Sequence, residues 1–167
     1  MIIRKEQPQD IQQIYSHNAA AFPSEDEAQL INSLRETATP FISLVAAEEK
    51  EIKGHILFTP VTLNAAPELT LLGLAPMAVS PDHQNQGIGS QLVQAGLAAC
   101  RLHNAEAIVV LGHPEFYPRF GFSPSVNFGI KSEYDVADEV FMILELKAGA
   151  LKDKQGIISF HPAFAGL

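Results

Sequence analysis

Residues 79–90 read V-S-P-D-H-Q-N-Q-G-I-G-S. An apolar run rich in Leu, Ala and Val stops at Val79, Pro81 and Asp82 make a turn, and Gly87 and Gly89 then open a long alternation of apolar and polar residues. The pattern predicts a strand, a loop and a helix in that order. With the glycines at the helix start a ligand can approach bare backbone, and the first helical amides have no carbonyl partner inside the helix. Free amides at the positive end of a helix dipole suit an anion such as a phosphate or pyrophosphate. Spacing excludes two common phosphate motifs. A P-loop needs G-x-x-x-x-G-K-[ST], and the stretch holds no lysine; a dinucleotide fingerprint needs G-x-G-x-x-G, and Leu92 stands where its third glycine belongs.

Upstream, residues 69–79 predict a strand buried on both faces, except that Pro76 removes a ladder donor and should distort it near Ala75. Downstream, Ile88, Leu92, Ala95, Gly96 and Ala99 mark the buried stripe of a helix ending near Asn104, and residues 107–111 form a short apolar strand. Strand, helix and parallel strand make a crossover unit. Farther out, residues 2–5 predict a first strand, and Pro8 and Asp10 start a helix running to about Phe22. Ser24 and Glu27 have capping-box spacing for a second helix that carries Leu30, Ile31 and Leu34 and ends before Pro40. Residues 42–48 and 52–63 predict an antiparallel hairpin, residues 116–120 one or two helical turns, and residues 140–146 and 157–160 two late strands.

A chain of 167 residues with 47% hydrophobic and 18% charged residues suits a single globular domain over 1–167. The first residues carry no secretory pattern, so a cytoplasmic location is expected. A net charge of -8 argues against nucleic acid and anionic membrane as partners and is compatible with cationic substrates. The one cysteine, Cys100, lies in the helical stretch among Ala98, Ala99 and Leu102 and reads as a small buried hydrophobe. No histidine pair at i and i+4 marks a helical metal site, so no metal is expected.

The glycine stretch resembles the Q/R-x-x-G-x-G/A signature of the GCN5-related N-acetyltransferase (GNAT) superfamily, met by Gln84, Gly87 and Gly89 with Val79 and Pro81 upstream. A second motif, Y-P-R-F-G-F at residues 117–122, resembles the tyrosine four residues before a Gly-Phe pair in many of these enzymes. Together with the preceding V-L-G-H-P, it is similar to a bacterial branch whose substrates are mostly unassigned. The resemblance implies an α/β acyl-CoA N-acyltransferase fold: a mixed twisted sheet, a bulged and splayed central strand, and a βαβ cofactor-binding core. It implies an acyltransferase that moves acetyl from acetyl-CoA directly to an amine of a small molecule, peptide or protein, working as a monomer or homodimer. The alternative is a non-catalytic acyl-CoA-binding regulatory module of the same fold.

The resemblance also implies roles for residues. Gln84, Asn85, Gln86, Gly87, Gly89 and Ser90 would hold the pyrophosphate of coenzyme A, although many relatives place Arg or Lys where Asn85 or Gln86 stands here. Val79 would pair with the pantetheine arm, and the backbone amide of Met77 would face the developing oxyanion. Tyr117 would lie near the cofactor sulfur. A neutral phenol can give a departing thiolate a proton or a hydrogen bond; the competing role for Tyr117 is packing beside Phe116, Phe120 and Phe122. His17, Glu25, Glu27, His55, His113 and Glu115 are possible bases, none singled out, and Arg119 is expected to brace its loop through an ion pair.

Overall fold

Glu51–Leu63 is the longest strand and the one on which both layers of the molecule pack. Along it successive side chains point to opposite faces. Ile56 and Phe58 join one buried cluster and Leu57 joins another. The computed structural model describes residues 1–166, so Leu167, the last residue of the expected domain, lies outside the described residues.

In chain order the elements are β1 (Ile2–Lys5), α1 (Ile11–Ala21), α2 (Asp26–Thr37), β2 (Ile42–Glu48), β3 (Glu51–Leu63), β4 (Leu71–Val79), α3 (Ile88–Leu102), β5 (Ala107–Leu111), β6 (Ser123–Pro124), β7 (Ile130–Ser132), β8 (Phe141–Glu145) and β9 (Gly156–Ser159). The strands run β1-β2-β3-β4-β5-β8-β6 across the sheet, with β9 bridging the end of β3 to β7. β4 and β5 are parallel and joined through α3, which is the expected crossover unit; β1, β2, β3 and β4 are successively antiparallel. No helix among the described residues is long and apolar enough to cross a membrane.

Leu92, Val93 and Leu97 of α3 pack against Leu44, Ala46, Ile56 and Phe58 on one face of the sheet. Ile14 of α1 and Leu30, Ile31 and Leu34 of α2 cover Val45 and Leu57 on the other. Full burial of a side chain such as Phe58 contributes on the order of 1.5–3 kcal/mol. It needs room, and Gly96 supplies it, because a Cβ there would collide with the Phe58 ring. Cys100 is fully buried in the same cluster, and burial pushes its thiol pKa up to about 12.

A polar chain ties α1 and α2 to the sheet. Arg35 donates two hydrogen bonds to Glu6, the Ser43 hydroxyl donates to Glu6 Oε1 at 2.7 Å, and His55 Nε2 stands 2.8 Å from Ser43 Oγ. Asn18 Nδ2 lies 3.3 Å from His55 Nδ1. With the Ser43 proton directed at Glu6, the imidazole carries its own proton on Nε2 and accepts at Nδ1. His55 is fully buried, and desolvation lowers its pKa to about 3.

Several local expectations are corrected. β4 starts at Leu71, not at residue 69, because a turn hydrogen bond from the Leu69 amide to the Ala66 carbonyl occupies the preceding residues. The Ser24–Glu27 capping box does not form: Ser24 Oγ accepts from the Asp26 amide, and Glu25 is the N-cap with no side-chain cap. A box forms instead at Gln7, whose amide donates to Asp10. In α3 Ile88, Leu92 and Gly96 are buried as expected, but the stripe also takes in Val93, Leu97 and Cys100, while Ala95 and Ala99 sit at its half-buried margin. β6 and β7 were not expected, having two and three residues and no apolar period to reveal them.

Candidate active site

Pro76 breaks β4 where the sequence places it. The β3–β4 register shifts between Ile56 and Phe58, opposite Ala75 and Pro76. Pairing with β5 runs from Leu71 to Leu74 and stops there. Beyond Leu74 the two parallel strands separate and a cleft of about 1000 Å³ opens between them.

Backbone direction in this segment follows from one hydrogen bond. The Ser80 amide donates to the Lys53 carbonyl of β3 at 2.8 Å. Alternate amides of an extended strand point the same way, so Ala78 also faces β3 while Met77 and Val79 face the cleft. The two amides that the resemblance singles out thus lie on the side β5 has vacated.

The loop closes the end of the cleft. Gln84 Nε2 donates to the Val79 carbonyl at 3.2 Å, so its side chain ties the loop to the strand end. Asn85 and Gly87 have φ of +64° and +83°, a left-handed conformation that Gly and Asn adopt at least cost. Gly87 is the N-cap of α3, which places Gly89 and Ser90 on its first turn with unpartnered helical amides. A Cβ added at Gly89 would meet Phe116 Cζ at 3.6 Å and Met77 Cε at 3.9 Å, which are ordinary contacts, so the fold itself tolerates a methyl group there. Gln84, Asn85, Gly87, Gly89 and Ser90 all line the cleft, as do Met77 and Val79. Gln86 does not: its Nε2 turns back to the Asp82 carbonyl at 3.5 Å.

Tyr117 opens the 3-10 turn Tyr117–Phe120 and lies on the far wall. Its ring packs edge-on against Phe116 and Phe122 and covers Gly112, where a Cβ would overlap the ring. Only 6% of the residue is exposed, and desolvation alone raises the phenol pKa to about 12. The phenol is therefore protonated at neutral pH, with its ring fixed by packing. Both roles weighed for Tyr117, chemistry and packing, are structurally compatible.

The possible bases separate by position. His113 and Glu115 line the cleft. His55 is sealed in the core, and His17 lines a smaller depression of about 280 Å³ with Glu51 and Ser80, where its Nε2 bonds the Ala78 carbonyl. Glu25 and Glu27 line neither. Sequence reasoning missed Phe22 and His83 as lining residues; His83 stands inside the motif, but nothing in the pattern points to Phe22. Among the described residues no group of three or more His, Cys, Asp or Glu side chains is placed to hold a metal ion.

A family model described as an acetyltransferase (GNAT) domain matches residues 40–124, which span the hairpin, the splayed strand, α3 and the Tyr117 turn. An uncharacterized N-acetyltransferase of Escherichia coli, YhbS, is 32% identical over 165 residues and is matched over 98% of each chain. The chain belongs to the GNAT acetyltransferase family. A second relative, the uncharacterized N-acetyltransferase YjhQ of Escherichia coli, is 37% identical over 142 residues, 83% of this chain and 77% of its own. The crystal structure of YhbS in complex with CoA superimposes with a TM-score of 0.92 at 31% identity, covering 98% of this chain and 91% of that one. A GNAT acetyltransferase of Brucella melitensis in complex with acetyl-CoA gives 0.80 at 33% identity, over 98% and 97%. The GNAT model stops at residue 124, whereas YhbS extends the likeness through β7, β8 and β9.

Proposed function

We propose that this protein transfers an acetyl group from acetyl-CoA directly to the amine of a small molecule, peptide or protein, with residues 1–167 acting as one catalytic domain. The observation that carries the reading is the cleft between the separated ends of β4 and β5, with strand amides on one wall, a helix start at one end and Tyr117 on the other wall. Its support from relatives is that GNAT proteins similar over nearly their whole length bind CoA and acetyl-CoA.

The residues present fit such a ligand. The opening at Gly89 is a cradle that a side chain would fill, and the first turn of α3 offers amides to the diphosphate. The Val79 amide pairs with the pantetheine arm, and the Met77 amide is the donor for the oxygen that becomes negative as the amine adds. Acetyl-CoA supplies the acyl group as an activated thioester. Tyr117, held protonated, donates a hydrogen bond to the sulfur as the C–S bond breaks. Complete proton transfer from a phenol at about 12 to a thiolate whose acid has a pKa near 8.5 is uphill by more than three powers of ten, so the hydrogen bond carries the stabilisation. Gln84 fixes the loop, and the backbone of Asn85, Gly87, Gly89 and Ser90 contacts the phosphates.

Mass spectrometry of the purified protein for bound CoA, followed by thiol release from acetyl-CoA with a panel of small amines and of peptides bearing free N-termini or lysines, tests the reading. Acetyl-CoA is expected to raise the melting temperature and at least one amine to accelerate thiol release. Binding without acceleration by any amine class would favour the regulatory module, and no binding would remove the reading altogether.

A further inference from the structure

A cleft that binds a diphosphate in a protein of net charge -8 works against the long-range field of its own chain, so a local cation is worth more here than in a basic protein. The loop at residues 84–86 holds none. Arg4, Arg35, Lys53 and Lys154 are engaged by Asp10, Glu6, Glu51 and Glu68. Among the described residues Arg119 is the one lysine or arginine that lines the cleft.

Among the described residues Arg119 does not make the ion pair that the sequence suggests. Its guanidinium carbon stands 4.8 Å from the centroid of the Phe116 ring. The same ring reaches back to the helix start, with Phe116 Cζ 3.6 Å from the position a Cβ on Gly89 would take. Helix start, phenyl ring and guanidinium therefore follow one another across the mouth of the cleft. Stacking on a ring face orients a guanidinium while leaving its in-plane N–H groups free for a planar or bidentate acceptor. A phosphate is such an acceptor. The residue comes from the Tyr117–Phe120 turn, so it meets the anion from the cleft wall that abuts the α3 start.

We propose that Arg119, oriented by Phe116, is the cation that pairs with the diphosphate of coenzyme A and takes the place of the Lys or Arg absent from residues 84–86. The assignment rests on the CoA-binding reading above. It selects the diphosphate over the 3′-phosphate because the ring that carries the guanidinium abuts Gly89, on the first turn of α3.

Calorimetric titration of the full chain with CoA and with dephospho-CoA, at low and high salt, tests it in the wild type, Arg119→Gln and Arg119→Lys. Arg119→Gln is expected to weaken both ligands equally, by about tenfold at low salt, and to flatten the salt dependence. Arg119→Lys keeps the charge and so keeps the salt dependence, with part of the affinity lost through the missing fork of donors. The melting temperature of the ligand-free protein is expected to stay the same in both variants. Unchanged affinity in Arg119→Gln overturns the proposal, and so does a loss confined to CoA, which would put the guanidinium on the 3′-phosphate. A fall in ligand-free melting temperature that accounts for the lost affinity assigns Arg119 to packing on Phe116 and also overturns it. A wild type that binds neither ligand overturns the CoA reading itself.

Discussion

His17 Nε2 lies 2.9 Å from the carbonyl oxygen of Ala78 and donates to it, so the first helix is hydrogen-bonded to the strand that forms the cleft wall. The Ala78 carbonyl and the Val79 amide belong to one trans peptide and point in opposite directions. Holding the carbonyl toward α1 holds the Val79 N–H toward the cleft. Burial lowers the His17 pKa, which favours the neutral ring, and the hydrogen bond partly opposes that shift.

His17→Leu is therefore expected to weaken acetyl-CoA binding roughly 2- to 10-fold, the worth of one hydrogen bond, with little change in turnover at saturating acetyl-CoA. His17→Gln, which can still donate, should restore most of the affinity. Separate KM and kcat values for both variants check this, and equal losses in kcat and in affinity would contradict a positioning role.

Tyr117→Phe is expected to keep acetyl-CoA affinity and melting temperature while lowering the chemical step by about 10²-fold, because the ring packs and, in the proposed complex, only the hydroxyl would reach the sulfur. Tyr117→Ala, which uncovers Gly112 and loses contact with Phe116 and Phe122, should lose stability as well. With the phenol pKa raised to about 12, a loss of rate from its ionisation belongs above pH 10, out of reach of an ordinary assay. Single-turnover rates decide the matter, and wild-type turnover in the Phe variant would leave the tyrosine a packing residue.

Gly89→Ala is expected to fold normally, since its Cβ would meet only ordinary contacts at 3.6 Å and beyond, yet to bind CoA more weakly. Gly89→Asp adds a negative charge at the positive end of α3 and should abolish binding. Titration calorimetry beside thermal melting separates the two effects; unchanged affinity in folded Gly89→Asp would sink the pyrophosphate assignment.

His55 gives the fold an acid sensitivity independent of the cleft. Its pKa falls from an ordinary 6.5 to about 3 on folding, so between those values the unfolded chain binds more protons and stability rises with pH. Acidification from pH 6.5 to 5 is expected to cost about 1.5 kcal/mol, since the slope climbs from half its full value at pH 6.5 toward about 1.4 kcal/mol for each pH unit below it. Urea titrations at both pH values should show it, and His55→Gln, less stable at pH 7, should have a shallower pH slope.

The parts of this protein that were legible in the sequence are those set by local chemistry. Gly87 and Gly89 announced a helix start, Pro76 announced the distorted strand, and the apolar runs at residues 42–48 and 52–63 announced an antiparallel hairpin. What was not legible depends on contacts distant in sequence. Ser24 and Glu27 have the spacing of a capping box, but Glu25 takes the cap, and spacing cannot rank the two. Arg119 stands among aromatic residues with Glu115 close by, and only the folded turn reveals that it stacks on Phe116. Within one motif Gln84 reaches the Val79 carbonyl while Gln86 turns to Asp82, a difference between identical side chains that no pattern encodes.

The separation of β4 from β5 past Leu74 gives the ligand-free protein a sheet edge in its interior. The Met77 and Val79 amides, groups that other proteins pair, cover or guard with charge, face the cleft with no neighbouring strand beside them. An edge of this kind is a template for another chain, and hence a route to self-association. In the proposed complex the amide-bearing pantetheine arm takes the position of a missing strand and caps that edge. Coenzyme A would then act as a solubility factor as well as a reactant, and the protein should aggregate most readily when stripped of it.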